Sequence, residues 1–499
     1  MIRVVLVLFV SLVFVCGNVK AGDKPRMVVG ITLANFYPEW VRMYDYELGD
    51  GGFKRLMRGA KELRADYGYM YSQCGTDQAT IYTGTYPSEH GIVSHEWYDR
   101  LKNGRLPNIS KDSTPEQLKV LNIAAYMRMA NSFSRAYSVA MRAEDALMAG
   151  GTYANNCFWF DEKSGKIVSS KYNAGVPQWL DSWNVKLNVD SIVNIGWLPS
   201  WGKREFYYNL SNLRNQYRGY QIVNAIPHAN DIVINSAIQV MRKERLGEDR
   251  EPDLLMITLS SLDYMNRDFA INSPEFKDLV LRMDKSIESL LKELDSRCGE
   301  EGYTLFMTIS EGREMLPIDL AQYRLKGDYF SIYRAVALLK SYLKLLYGDG
   351  EWVLSFDSGQ IYLNRELIQK NRLVLGDFQR TVADFLVNFE GVAKVITSTE
   401  LASASISQGT ELLISRSFYP KRSGDIMFAL EQSWIPGMQE REDNYCRYSK
   451  CRFVPLYVYG VGSEKIGKSA CSMIDIFPTI CRIVNLSLPY NINGVSLME

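Results

Sequence analysis

Residues 71–91 read YSQCGTDQATIYTGTYPSEHG, and the fold is decided there. Cys74-Gly75-Thr76-Asp77 is small, polar punctuation that predicts a helix start. Ala79-Thr80-Ile81-Tyr82-Thr83 carries the helix on, and Gly84 with Pro87 breaks it. A cysteine just ahead of a helix N-terminus sits where the helix dipole and free backbone N–H groups favour an anion, either its own thiolate or a bound phosphate. The same residue also reads as a small buried cysteine in a loop, the commoner fate of an isolated cysteine.

The run continues through Ile81-Tyr82-Thr83-Gly84, Pro87-Ser88-Glu89-His90-Gly91-Ile92 and Glu96-Trp97-Tyr98-Asp99. This series resembles the nucleophile segment of the alkaline phosphatase superfamily, in the branch of threonine-nucleophile alkaline phosphatases and type I phosphodiesterase/nucleotide pyrophosphatases. The resemblance implies an α/β fold: a three-layer α/β/α sandwich around a central, mostly parallel sheet. It would fill residues 22–499, with cap insertions at about 100–250 and 313–450. Such a family places a nucleophilic threonine and a histidine where this chain has Cys74 and Gln78. The scaffold matches and the chemistry does not.

Composition points the same way. Lys+Arg and Asp+Glu are equal at 57 each in 499 residues, so no global field draws the chain to nucleic acid or to an acidic membrane surface. Only three histidines are present, His90, His95 and His228. A paired zinc site of the resembled kind uses three histidines plus carboxylates. Residues 1–21 read as a secretory signal, with Arg3, an apolar core from Val4 to Val15 and a small-residue end at Ala21. Export to the periplasm or beyond is therefore expected, with lipid anchoring at Cys16 ranked second because bulky Val15 precedes it. No other stretch is long and apolar enough for a transmembrane helix. Beyond Cys16 the chain has Cys74, Cys157, Cys298, Cys446, Cys451, Cys471 and Cys481. That odd count leaves at least one thiol unpaired. The C-x4-C pair Cys446/Cys451 fits a local disulfide better than zinc, since no histidine is near it in sequence.

Three apolar runs predict buried strands, 27–33, 253–259 and 303–310, and residues 136–140 read as a short strand. In the resembled family the ends of such strands carry metal ligands, three aspartates and three histidines in all. At the matching positions this chain has Ala34, Asp263, Arg267, Ser310, Glu311 and Phe453, so only Asp263 is a retained ligand. Arg267 is a cation that could stand in the vacated metal position. The family also binds substrate phosphate through a lysine, an arginine and an asparagine. Those positions are Ala140, Arg142 and His95, which makes Arg142 and His95 the candidate substrate-binding residues. An ion-paired or surface arginine is the competing reading of Arg142.

Ser273-Pro274 predicts a helix start, followed by an apolar stripe of Phe276, Leu279, Met283, Ile287, Leu290, Leu291 and Leu294. Residues 103–114 read as a surface loop. Residues 332–405 predict a small α/β insertion with a strand at 357–363, a helix at 378–389 and a strand at 392–397. Trp159, Trp179, Trp183, Trp197 and Trp201 fall in one segment, and either pack or form a carbohydrate- or lipid-facing surface. The leading expectation is an exported pseudoenzyme without the two zinc ions of its relatives and with no other cofactor, binding an unidentified protein or small molecule. The competing expectation is a phosphoric ester hydrolase with an altered centre built from Cys74, Asp263, Glu311 and His95.

Overall fold

The computed structural model describes residues 24–498, apart from 111, 172–174, 203–204, 215–218, 262–268, 270–271, 311–323, 358, 438–452 and 491. The 1–21 segment, Asp263, Arg267, Glu311, Cys446 and Cys451 lie outside the described residues. The chain lays down β1 (Met27–Ala34), α1 (Glu39–Met43), α2 (Phe53–Gly59), β2 (Lys61–Asp66) and α3 (Cys74–Thr83). It continues with β3 (Glu96–Asp99), β4 (Gly104–Pro107), β5 (Ala136–Ala140), α4 (Ala143–Gly150), β6 (Asn156–Asp161) and β7 (Lys166–Ser169). Next come α5 (His228–Lys243), β8 (Asp253–Leu259), α6 (Pro274–Cys298), β9 (Tyr303–Ser310), β10 (Asp328–Phe330) and α7 (Ile332–Tyr347). Then follow β11 (Val353–Phe356), β12 (Gln360–Leu363), α8 (Leu375–Leu386), β13 (Val392–Thr397), β14 (Ile426–Leu430), β15 (Trp434–Pro436), β16 (Phe453–Gly460), β17 (Ala470–Ser472) and α9 (Ile476–Ile483).

Nine strands form one sheet in the order β17-β2-β16-β9-β1-β8-β5-β6-β7. β16 and β7 run against the others. Every residue of β1, β8, β5 and β9 is buried, because helices cover both faces and leave no polar side to the sheet. One layer contains α1, α2, α5 and α6; the other contains α3, α4 and α9. Gly30 of β1 lies so close to the Tyr82 hydroxyl and the Phe306 ring that no Cβ fits there, which lets α3 settle onto the sheet. In α6 the expected cap is present, with Ser273 Oγ accepting from the Phe276 amide at 3.4 Å, and the whole apolar stripe is buried.

A second sheet, β11-β12-β14-β13, has its own core that includes Trp352, Phe378 and Phe428. The expected strand at 357–363 is shorter, Gln360–Leu363, because residue 357 accepts hydrogen bonds in the turn that precedes it. Residues 104–107 are not loop: β4 pairs antiparallel with β3. The tryptophans pack. Trp183 and Trp197 are buried, and the indole N–H groups of Trp179, Trp183 and Trp197 donate to Glu244, Ser236 and Asp278.

Candidate functional site

The tertiary fold brings the ends of β1 and β9 side by side, with Ala34 opposite Ser310 in register. Open α/β sheets present their ligands at this carboxyl edge. Gln73 is extended, and Cys74 is the first helical residue of α3, wholly buried beneath that edge. The segment ahead of it is held by the smaller sheet, since the Tyr71 hydroxyl donates to the carbonyls of Gly359 and Phe428, both at 3.0 Å. Cys74 Sγ accepts a hydrogen bond from the Ser310 hydroxyl at 3.3 Å and a long one from Gln78 Nε2 at 3.8 Å. Cys74, Gln78 and Ser310 therefore meet, with Ala34 beside Ser310 in register.

His95 and Arg142 also come to this end of α3, but each is held by an acid. The His95 ring Nδ1 pairs with Glu144, and its backbone N–H donates to Gln73 Oε1 at 2.6 Å. Arg142 Nε donates to Asp145 at 2.8 Å. Glu144 and Asp145 lie in the first turn of α4 and are buried. A Cβ built on Gly75 would stand 3.6 Å from the Glu144 carboxyl and 3.1 Å from Asn108 Nδ2, so Glu144 faces the N-terminus of α3, where an anion is favoured. The Glu144 charge raises the His95 pKa to about 9. Burial works against the Glu144 charge, yet His95, Arg142 and Asn108 together hold its pKa down to about 2. Neither acid stood out in the sequence, because two acids in a first helical turn are ordinary dipole partners.

His90 is a structural residue. It is fully buried, its Nδ1 accepts from the Ile92 amide at 3.1 Å, and its Nε2 lies 3.0 Å from Thr80 Oγ1. Burial lowers its pKa to about 3, which keeps it neutral. Asp77 is likewise committed, accepting from the Tyr69 and Ser72 hydroxyls.

Phe453 is not part of this cluster. It faces the other side of the sheet, half-exposed, with the Arg64 guanidinium 3.8 Å from its ring centre. Side chains alternate along β16, and Phe453 shares a face with Pro455 and Tyr457 rather than with Ser310.

Among the described residues, the matching positions Ala34, Ser310 and Phe453 offer no zinc ligand of the usual kind. Ala34 has no donor atom, and Ser310 spends its hydroxyl proton on sulphur. Phe453 has no donor atom either and lies on the opposite face. Zinc is held by thiolate, imidazole and carboxylate groups, usually four per ion.

The sequence profile of the family described as type I phosphodiesterase / nucleotide pyrophosphatase matches residues 51–452. A Myroides odoratus protein named calcium-transporting ATPase is 27% identical over 525 aligned positions, covering 96% of this chain and 95% of that protein. Alkaline phosphatase PafA of Elizabethkingia meningoseptica is 23% identical, covering 99% of this chain and 97% of the relative. The crystal structure of wild-type PafA superposes with a TM-score of 0.85 at 22% identity, covering 95% of this chain and 98% of that one, so the two share a fold. Among the described residues no helix is long and apolar enough to cross a membrane.

Proposed function

The chain belongs to the type I phosphodiesterase / nucleotide pyrophosphatase family of alkaline phosphatase-like phosphoesterases, and we propose that this member has given up the binuclear zinc chemistry and serves as an exported binding or scaffolding protein. The observation that carries the reading is the pair Ala34 and Ser310. They sit in register at the carboxyl edge, one without a donor atom and the other hydrogen-bonded to the Cys74 sulphur. Two-metal hydrolysis uses one ion to activate the nucleophile and a second to support the leaving oxygen, and these two positions give such ions no ligand of the usual kind. Also in favour is the internal charge balance, because His95 and Arg142, which stand at the family's phosphate-binding positions, already face Glu144 and Asp145.

The test is zinc content after the purified protein is exposed to excess zinc and desalted. Close to none is expected. Two ions per chain would overturn the reading.

A second reading, metal-independent ester hydrolysis by Cys74, draws on the placement of that thiol at a helix N-terminus, where thiolates are stabilised. Relatives named as alkaline phosphatases lend it weight. Hydrolysis of an aryl phosphate that disappears in Cys74→Ala would establish it in place of the first. Export rests on the 1–21 segment, and a secreted or periplasmic product beginning at Gly22 is the expected result of N-terminal sequencing.

A further inference from the structure

On the face of the central sheet opposite Cys74 there is a cavity of about 660 Å³. Strand alternation separates the two places: Ser310 meets the Cys74 sulphur, while its neighbour Ile309 lines the cavity. The volume lies within the roughly 300–1,000 Å³ typical of small-molecule sites. Its walls are aromatic, from Phe36, Tyr37, Phe453 and Tyr457. A small apolar pocket that includes Leu33, Val41, Phe53 and Met307 shares Phe36, Ile309 and Tyr457 with it.

Four charges surround this aromatic space, and their state is the informative part. Glu39 and Arg42 come from α1, Glu62 and Arg64 from β2. Each strand or helix thus supplies one acid and one base, yet no ion pair joins Glu39 to Arg42 or Glu62 to Arg64. Arg64 instead stacks on Phe453, and Glu62 accepts a long hydrogen bond of 3.5 Å from the Tyr457 hydroxyl. Burial, with the Glu62 charge added, pushes the Tyr457 pKa up to about 12, so the phenol stays neutral and keeps its proton toward Glu62. Two cations and two anions around a ring-lined cavity complement a ligand that has both signs of charge and an apolar body.

We propose that this cavity binds a small zwitterion with an aromatic body, the chemistry of an aromatic amino acid or dipeptide, with its carboxylate toward Arg42 and Arg64 and its ammonium toward Glu39 and Glu62. A guanidinium fork suits a carboxylate, and Arg64 also holds Phe453 in place as a wall for the ligand's ring. The site is independent of the Cys74 cluster and of whether that cluster retains chemistry.

The test uses L-tryptophan and glycyl-L-tryptophan as probes on the full mature protein, read by calorimetry and by the shift in melting temperature. A ligand that binds only the native state must raise that temperature. Both zwitterions are expected to do so. N-acetyl-L-tryptophan, which lacks the ammonium, and L-tryptophanamide, which lacks the carboxylate, are each expected to bind at least tenfold more weakly. Arg42→Ala and Arg64→Ala are expected to weaken the zwitterions at least tenfold, and both positions are exposed, so the fold should survive. Cys74→Ser should bind them like wild type. The proposal is overturned if neither zwitterion binds, if the blocked analogues bind as well as the zwitterions, or if the arginine variants bind normally. Loss of binding in Cys74→Ser would also overturn it, by moving the ligand to the other face of the sheet.

Discussion

His95 and Glu144 stabilise the native state in opposite directions of pH. The His95 pKa is raised from 6.5 to about 9, so its contribution is fully present below pH 6.5 and is lost as pH rises through 9. The Glu144 pKa is lowered from 4.5 to about 2, so its contribution is present above 4.5 and is lost as pH falls through 2. The pair is therefore worth most between about pH 4.5 and 6.5. His95→Ala is expected to cost about 1–2 kcal/mol at pH 6, less than a fully buried pair because the His95 side chain is 47% exposed and water takes up part of the lost charge. Urea denaturation at pH 6 and pH 10 checks this, and an equal loss at both would refute the charge argument. Asp425 presents the fully buried case. Its carboxylate has no exposure and receives Arg100 at 2.9 Å, Arg365 at 2.6 Å and the Leu363 amide at 2.9 Å. Asp425→Ala leaves two guanidinium groups and an amide without their acceptor, and should cost about 3 kcal/mol in the same assay.

At the scale of the element, α3 depends on how it ends. Gly84 closes it in the left-handed region at φ +67°, and a Cβ there would stand 2.9 Å from Cβ of Phe477. Gly84→Ala is expected to lower stability by about 1–2 kcal/mol, combining backbone strain with crowding of α9. A smaller loss would mean that α9 yields easily. Helix α3 was legible because its break signals are local: small polar residues in front, Gly84 and Pro87 behind. Helix α6 was legible from Ser273, Pro274 and a stripe at helical spacing. The β3–β4 hairpin was not. Gly104-Arg105-Leu106-Pro107 is short and contains glycine and proline, and it becomes a strand only because Glu96–Asp99 is there to pair with it.

For the whole molecule, the proposed loss of the metal centre predicts that a strong chelator leaves the melting temperature of the full-length protein unchanged, since a metal bound only by the native state would otherwise contribute to stability. A drop on adding chelator, reversed by zinc, would overturn the prediction. The central sheet itself was readable as continuous apolar strands, because a sheet covered on both faces has no polar side to interrupt them. The smaller sheet was readable only in outline. Its strands pair antiparallel across long sequence separations, such as Ile361 with Ile426, and no local pattern encodes that choice.

The sequence by itself determined the layered α/β framework, the position of Cys74 at the head of a helix, and the absence of donor atoms at Ala34. These follow from residue identity, local periodicity and short-range turn chemistry. Tertiary structure decided which distant charges meet. Glu144 reaches His95 across 49 positions, converting an expected anion-binding residue into a member of an internal ion pair, whereas Arg142 meets Asp145 only three positions on. Strand register decided the rest. Phe453 pairs opposite Asp66, and a side chain's face on a strand follows from its parity in the ladder. That parity places the ring with Arg64 on the far side of the sheet from Cys74, a distinction that depends on which strands lie side by side and so has no signal along the chain.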